Sequence, residues 1–306
     1  MLFQIRDLEK RFGKNVVLHN VNLDILEDEI FGIIGVNGSG KTTLLKVLVG
    51  FYKPDQGEIL YNGQKLSKVL KTLKREIGFT TQENSFYQKL TVEENIRYFG
   101  ALYGVDSRST DVNVERILTL VELQEERNSL AENLSGGMQR RLDMACSLIH
   151  DPKVLILDEP TEDLDPTLRG GILRLIKKIN KLGTTIIITS HLLDDVEHLC
   201  NRVAIIHERR IIRVGTVEDL REMYRRKEEV HLEIASGNYE NIIRSLNLED
   251  FIIDEGKLVV FTNKAEEVLH SILHILENEG DKLIYVDIRK PSLKEIFEVI
   301  TDKKWL

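Results

Sequence analysis

Residues 35–43, GVNGSGKTT, set glycines, a lysine and two threonines at the spacing G-x-x-x-x-G-K-[ST]. Glycines let the backbone curl until consecutive N–H groups point inward, where they can meet phosphate oxygens. Lys41 then reaches the β- and γ-phosphates, and the Thr42 hydroxyl is placed to ligate Mg²⁺. The residues expected to contact a nucleotide here are Gly35, Val36, Asn37, Gly38, Ser39, Gly40, Lys41, Thr42 and Thr43.

A second segment, VLILDE at 154–159, ends in two carboxylates. A buried strand that stops at Asp158 sets one of them beside the Mg²⁺ of the phosphate loop. Glu159 follows, where it can orient or polarise an attacking water as a general base. A third segment, LSGGMQ at 134–139, opens a helix. Ser135 is a good N-cap residue, and Gly136 and Gly137 let a ligand come close to the backbone. A helix N-terminus attracts anions, although these residues by themselves fit a plain capped helix as well.

The elements that must position these groups follow from periodicity. EIFGIIG (29–35) is a near-continuous apolar run, suited to a strand buried on both faces, and leads into the glycine-rich turn. A helix is predicted from about 41 to 49, stopped by Gly50 and Pro54. Upstream, 3–8 and 16–25 alternate apolar and polar residues as half-buried strands do, and 57–61 and 77–81 read as further strands. From about 91 to 150 the pattern turns helical. Thr91 and Glu94 have capping-box spacing before a run ending near Gly104, and helices fit 111–122 and 136–150. Strands at 154–158 and 184–189 then flank a helix that opens at Pro166 and ends at Gly183, and LLDDVEHLC is a short helix. Apolar strands alternating with helices predict an α/β core with a parallel sheet, interrupted by a helical insertion at about 85–150.

The charged stretch REMYRRKEE (221–229) marks a boundary, giving expected domains at 1–220 and 225–306. Beyond it the order is strand (230–235), helix (239–246), strands (251–254 and 257–262), helix (264–279), strand (283–288) and helix (292–301). That βαββαβ order predicts a small ferredoxin-like α+β domain.

Composition sets limits on partners. Of 306 residues 42 % are apolar and 30 % charged, an ordinary globular balance with enough apolar material for a core. A net charge of −8 argues against nucleic acid or bare anionic lipid as the main partner. Cys146 and Cys200 form no CxxC pair, so no disulfide framework or metal site beyond Mg²⁺ is expected. Cys146 falls in an apolar helical series with Leu142, Ala145 and Ile149 and reads as core. No basic region followed by an apolar stretch opens the chain, so no secretory signal is expected. No apolar run approaches the roughly 18 residues of a membrane span, so membrane attachment is expected through another chain.

In order along the chain stand the phosphate loop (35–43), LSGGMQ (134–139), ILDEPT (156–161) and a lone His191 after a strand. Over residues 1–220 the sequence resembles the nucleotide-binding subunit of ABC transporters, with LSGG the specific part. The resemblance implies a P-loop cassette with an N-terminal antiparallel β subdomain and an inserted helical subdomain, hydrolysing ATP with Mg²⁺. It assigns Phe12 to stacking on adenine, Gln82 to Mg²⁺ and to sensing a membrane partner, His191 to the γ-phosphate, and Asp165 to the dimer interface. Ser135, Gly136 and Gly137 would cap ATP held by the phosphate loop of a second cassette, either a copy or a paralogue. The implied partner is a separate polytopic permease, which would hold the chain at the cytoplasmic face. PSLKEIFEVI (291–300), LSGGMQRRL and LTVEENIRYFGALYG resemble exporter-type subunits that serve drug, lipid, polysaccharide or ion efflux. The alternative is a soluble ABC ATPase acting on a ribosome or another assembly; such proteins usually carry two cassettes or a long coiled-coil insertion, for which the interval from Gln82 to Ser135 leaves no room. Two departures from the family pattern stand out. Asp163 replaces the usual glycine in TEDLDP, adding negative charge near the expected interface, and the turn HERR (207–210) lacks its glycine, predicting a longer turn or one strained into the left-handed region.

Overall fold

Three apolar strands form the middle of the molecule's larger sheet: β3 (Ile30–Ile34), β7 (Val154–Asp158) and β8 (Thr185–Ser190), each buried along its whole length. In the computed structural model, which describes residues 1–223, 227–254, 256–290 and 292–301, the chain divides into two units, Met1–Val217 and Glu218–Leu306. Residues 224–226 of the charged stretch and Pro291 lie outside the described residues.

The first unit opens with β1 (Phe3–Phe12) and β2 (Asn15–Ile25), an antiparallel pair. After β3 come α1 (Lys41–Leu48), β4 (Gln56–Tyr61), β5 (Gln64–Lys65), α2 (Leu66–Glu76) and β6 (Ile77–Thr80). The helical stretch is α3 (Val92–Tyr103), α4 (Ser107–Val121), a 3-10 turn at Ala131–Asn133 and α5 (Gly136–Leu148). Between β7 and β8 lies α6 (Pro166–Lys181), and α7 (Leu193–Leu199), β9 (Arg202–His207) and β10 (Arg210–Gly215) follow; α8 (Val217–Met223) starts where the two units divide. The antiparallel sheet runs β2-β1-β4-β5 and the six-stranded sheet β10-β9-β3-β8-β7-β6. All pairs of the larger sheet are parallel except the β9–β10 hairpin at its edge.

Alternation explains why the central strands are buried at every position. Phe31, Ile33, Ile156 and Ile187 pack with Leu44, Leu45 and Leu48 of α1 and with the antiparallel sheet. Leu155, Leu157, Ile186 and Ile188 point the other way, onto Leu142, Ala145 and Cys146 of α5 and Ile172 and Ile176 of α6. Each such side chain, removed from water, stabilises the fold by roughly 1.5–3 kcal/mol. Cys146 is 1 % exposed, the core residue its periodicity predicts.

Local signals set the helix ends. The Thr91 hydroxyl accepts the Glu94 amide while the Glu94 carboxylate accepts the Thr91 amide, and Gly104 closes α3 in the left-handed region. Asp165 caps α6 ahead of Pro166. Two helices lie outside the expected set: α2, whose Leu66 and Leu73 are buried on one face, and the short α8.

The second unit holds β11 (Glu228–Ile234), α9 (Glu240–Ser245), β12 (Phe251–Asp254), β13 (Lys257–Thr262), α10 (Ala265–Glu279), β14 (Leu283–Arg289) and α11 (Leu293–Thr301). Its antiparallel sheet runs β12-β13-β11-β14, so the first and third strands of the βαββαβ order are central, as in a split-βαβ fold. Val230, Leu232, Ile234, Leu258 and Val260 form its core with Ile242 of α9 and Ile272 and Leu276 of α10.

Candidate active site

Parallel strands deliver their C-terminal ends to one edge of a sheet, where helices begin and ligands bind. Here β8 lies between β3 and β7, with Ile34 registered against Ser190 and Asp158 against Thr189. The phosphate loop, the acidic pair and His191 therefore leave the sheet side by side.

The loop is built for close approach. A Cβ at Gly35 would fall 2.5 Å from the Ile206 carbonyl and 2.7 Å from Ser39 Oγ. Gly40 stands at φ 110°, and Gly38 at φ 80°, conformations costly for any residue with a side chain. Gly40 caps α1 without a side-chain hydrogen bond, which leaves the amides of the first turn available to an anion. Ser39 Oγ is buried without a hydrogen-bonding partner. An unpaired buried hydroxyl, uncapped amides and a loop with no room for a Cβ at Gly35 suit a phosphate chain.

Lys41 lies across this loop, 5 % exposed. Its ammonium donates to the Gly35 carbonyl at 2.8 Å and the Val36 carbonyl at 3.4 Å, and sits 3.1 Å from Glu159 Oε1. The other Glu159 oxygen accepts the His191 backbone amide at 3.2 Å and His191 Nδ1 at 3.0 Å. One buried carboxylate thus holds both the lysine and the histidine. Glu159 itself has φ 49°, a strained setting for a non-glycine residue that surrounding contacts must hold in place. Beside it, Asp158 is 1 % exposed at the end of β7. Its Oδ1 accepts the Thr189 hydroxyl at 2.6 Å.

The remaining candidates occupy other places. Phe12 is half-exposed and meets Tyr52 edge-on with ring centroids 5.0 Å apart, with Lys10 Nζ 5.3 Å from its centre. Gln82, in the loop after β6, donates to Glu162 at 2.7 Å. Asp165 accepts the Thr167 and Leu168 amides at 2.9 and 3.0 Å. Ser135 caps α5 through the Met138 amide. A Cβ on Gly137 would meet Leu168 Cδ2 at 3.0 Å, so glycine here also eases the packing of α5 against α6. Among the described residues, no hydrogen bond joins Ser135, Gly136 or Gly137 to residues 35–43.

Several supporting residues escape a reading by sequence pattern. Arg140 of α5 donates to the Thr81 and Gln82 carbonyls, both at 3.2 Å, and Asp143 accepts the Ser85 amide at 2.9 Å. They hang the loop carrying Gln82 from the helix that Ser135 opens. The signal was an acidic residue, Asp143, set among Leu142, Met144 and Ala145 on a buried helix. Asn95, fully buried, ties down the next segment by accepting the Tyr87 amide and donating to the Tyr87, Leu90 and Thr91 carbonyls. Asp195 of α7 accepts the Thr161 hydroxyl at 2.8 Å. Asp163, in place of glycine, stands at φ 61°, so the position does ask for a left-handed residue, and aspartate tolerates it better than most.

Comparison with known proteins identifies the family. The ABC transporter family model matches residues 18–162. The linearmycin resistance ATP-binding protein LnrL of Bacillus subtilis is 31% identical over 99% of this chain and 99% of its own length. A Nod factor export ATP-binding protein I of Burkholderia lata is 36% identical over 69% of each chain. A methionine import ATP-binding protein, MetN of Clostridium tetani, is 32% identical over 98% of this chain and 100% of its own. Among solved structures, the dimeric ATP-binding cassette MJ0796, in a post-hydrolysis state with ADP and Pi, superposes with TM-score 0.63 at 26% identity, covering 71% of this chain and 99% of its own. The chain belongs to the ATP-binding proteins of ABC transporters, and it is an ABC-type ATPase.

Proposed function

We propose that the chain powers an exporter: it binds Mg·ATP as one half of a two-cassette dimer and drives efflux through a separate polytopic permease, at whose cytoplasmic face it is held. The observation that carries the chemistry is the buried array in which Glu159 holds both Lys41 and His191. Lys41 has three N–H donors and three acceptors around it, one of them Glu159. A phosphate entering the loop competes for that ammonium, and Lys41 passing to phosphate frees Glu159 Oε1 to take a water. His191 holds the other oxygen and so aims the carboxylate. Mg²⁺, when bound, would be held by Thr42, Gln82 and Asp158 and would neutralise charge on the phosphates. These are hard oxygen donors with one buried carboxylate, a set that suits Mg²⁺ shared with a nucleotide. The Phe12 ring, half open to solvent, is the stacking surface for adenine.

The second cassette is supported by what one chain lacks. Ser135, Gly136 and Gly137 cap a helix whose free amides can meet an anion, yet none bonds to the chain's own phosphate loop among the described residues. A neighbour's loop is the partner they fit, with Asp165 at the junction. We assign residues 1–220 to the cassette, with the insertion at about 85–150 facing the permease, and 225–306 to an accessory domain. Among the described residues no helix is long and apolar enough to cross a membrane, which agrees with a separate permease. Export rather than import is favoured by the exporter-like cues of the signature and the C-terminal segment, and by relatives named for resistance and for export.

Pull-down of the tagged chain from detergent-solubilised membranes tests this reading. A co-purifying polytopic protein is the expected result. Recovery of ribosomes or another soluble assembly instead would overturn export in favour of a non-transport ATPase, and a permease accompanied by an extracytoplasmic solute-binding protein would reverse its direction.

A further inference from the structure

A fully buried hydroxyl lies between the two acidic residues of the site. Thr189 stands on β8, 0 % exposed, opposite Asp158 in the β7–β8 register. Its Oγ1 accepts the backbone amide of Glu159 at 3.0 Å and bonds Asp158 Oδ1 at 2.6 Å. A hydroxyl has one proton. With the Glu159 N–H already pointing at the oxygen, the proton goes to Asp158, so the direction of both bonds is fixed. We infer that Thr189 is a positioning residue for ATP hydrolysis: its hydroxyl locks Oδ1 of Asp158 and, through the Glu159 amide, holds the following residue in the conformation that aims its carboxylate.

Two features make this more than a strand-filling contact. Glu159 has φ 49°, a conformation that persists only where neighbours over-determine it, and its amide has Thr189 as partner. The Asp158 carboxylate has no other hydrogen-bonding partner among the described residues, so the hydroxyl leaves Oδ2 alone to face a cation. The surrounding run, TTIIIT at 184–189, is otherwise made for burial, and a threonine inside it is retained at the cost of desolvating its hydroxyl. Outer residues of this kind, which orient a ligand without touching the metal, typically change activity or metal affinity by about 10- to 100-fold when removed.

The inference rests on the roles given above to Asp158 and Glu159. Thr189→Val keeps the shape and deletes the hydroxyl, Thr189→Ser keeps the hydroxyl and deletes the methyl, and Glu159→Gln serves as reference. In the purified full chain, ATP affinity is titrated in EDTA and in Mg²⁺, alongside kcat, KM and the melting temperature. Thr189→Val is expected to lose about 10- to 100-fold in kcat, to retain its ATP affinity in EDTA, and to lose most of the gain in affinity that Mg²⁺ brings. Thr189→Ser is expected to restore both. Wild-type kcat and Mg²⁺ gain in Thr189→Val would overturn the inference. So would a Thr189→Ser variant as impaired as Thr189→Val, or a fall in EDTA affinity that simply follows lost stability. If Glu159→Gln turns over at the wild-type rate, the reading of Glu159 fails; if only Thr189→Val does, that reading stands and Thr189 has no positioning role.

Discussion

Asp143 sits where a carboxylate is costly. It is 0 % exposed, its Oδ1 accepts the Ser85 amide, and its Oδ2 is buried without a partner. Burial raises its pKa to about 6, against the opposing pull of the Ser85 hydrogen bond and of Arg140. Because the folded value lies above the unfolded one, the protonated form is favoured in the native state. Its contribution is complete below pH ~4 and is lost as pH rises through about 6. Asp143→Asn removes this titration. The stability of wild type relative to Asp143→Asn should therefore rise by about 1 kcal/mol between pH 7 and pH 5. Urea denaturation of both proteins at the two pH values measures it, and a pH-independent difference would refute it. At this scale the phosphate loop and the acidic pair were legible because each is a run of neighbouring residues. Thr189, Arg140 and Asp195 were not: each acts through a partner between 30 and 59 positions away, and no local spacing encodes that.

The β9–β10 hairpin carries strain of a different kind. His207 pairs with Arg210, leaving a two-residue turn of Glu208 and Arg209 at φ 44° and 71°. A turn with both central residues left-handed matches the strand twist and ordinarily uses Asn-Gly. The missing glycine in HERR announced this strain. The Arg209 carbonyl accepts the His19 amide at 2.8 Å, which ties the strained turn to β2. Replacing the pair, Glu208→Asn with Arg209→Gly, should stabilise the protein by about 1 kcal/mol. A melting curve no higher than wild type would show the turn to be relaxed already. The long, strongly patterned elements matched expectation: the strand at 154–158 and the helix opening at Pro166 agree at those bounds, and the first helix fell short by one residue. The helix α2 went unseen although Leu66, Val69, Leu70 and Leu73 repeat at helical spacing, because lysines dilute its apolar face. Strand β10 is a hairpin edge, only partly buried, and gives a weak apolar signal.

At the scale of the whole molecule, the alternation of apolar strands and helices was readable in both units, since it admits few topologies, although β5, α2, β9, β10 and α8 were not among the expected elements. The second chain is another matter. A sequence can display a helix N-terminus fit for an anion; that no hydrogen bond joins Ser135–Gly137 to the chain's own loop among the described residues is what supports the proposed partner. In the proposed cycle ATP joins two cassettes and hydrolysis releases them, so blocking hydrolysis should trap the joined state. The stability of such a dimer comes from the nucleotide and depends on its concentration. The most direct measurement is sedimentation equilibrium of purified Glu159→Gln with Mg·ATP, with Mg·ADP, and with Mg·ATP after adding Ser135→Arg. The account predicts a dimer in the first case and monomers in the other two. A Glu159→Gln protein that binds Mg·ATP yet stays monomeric at every concentration would contradict it.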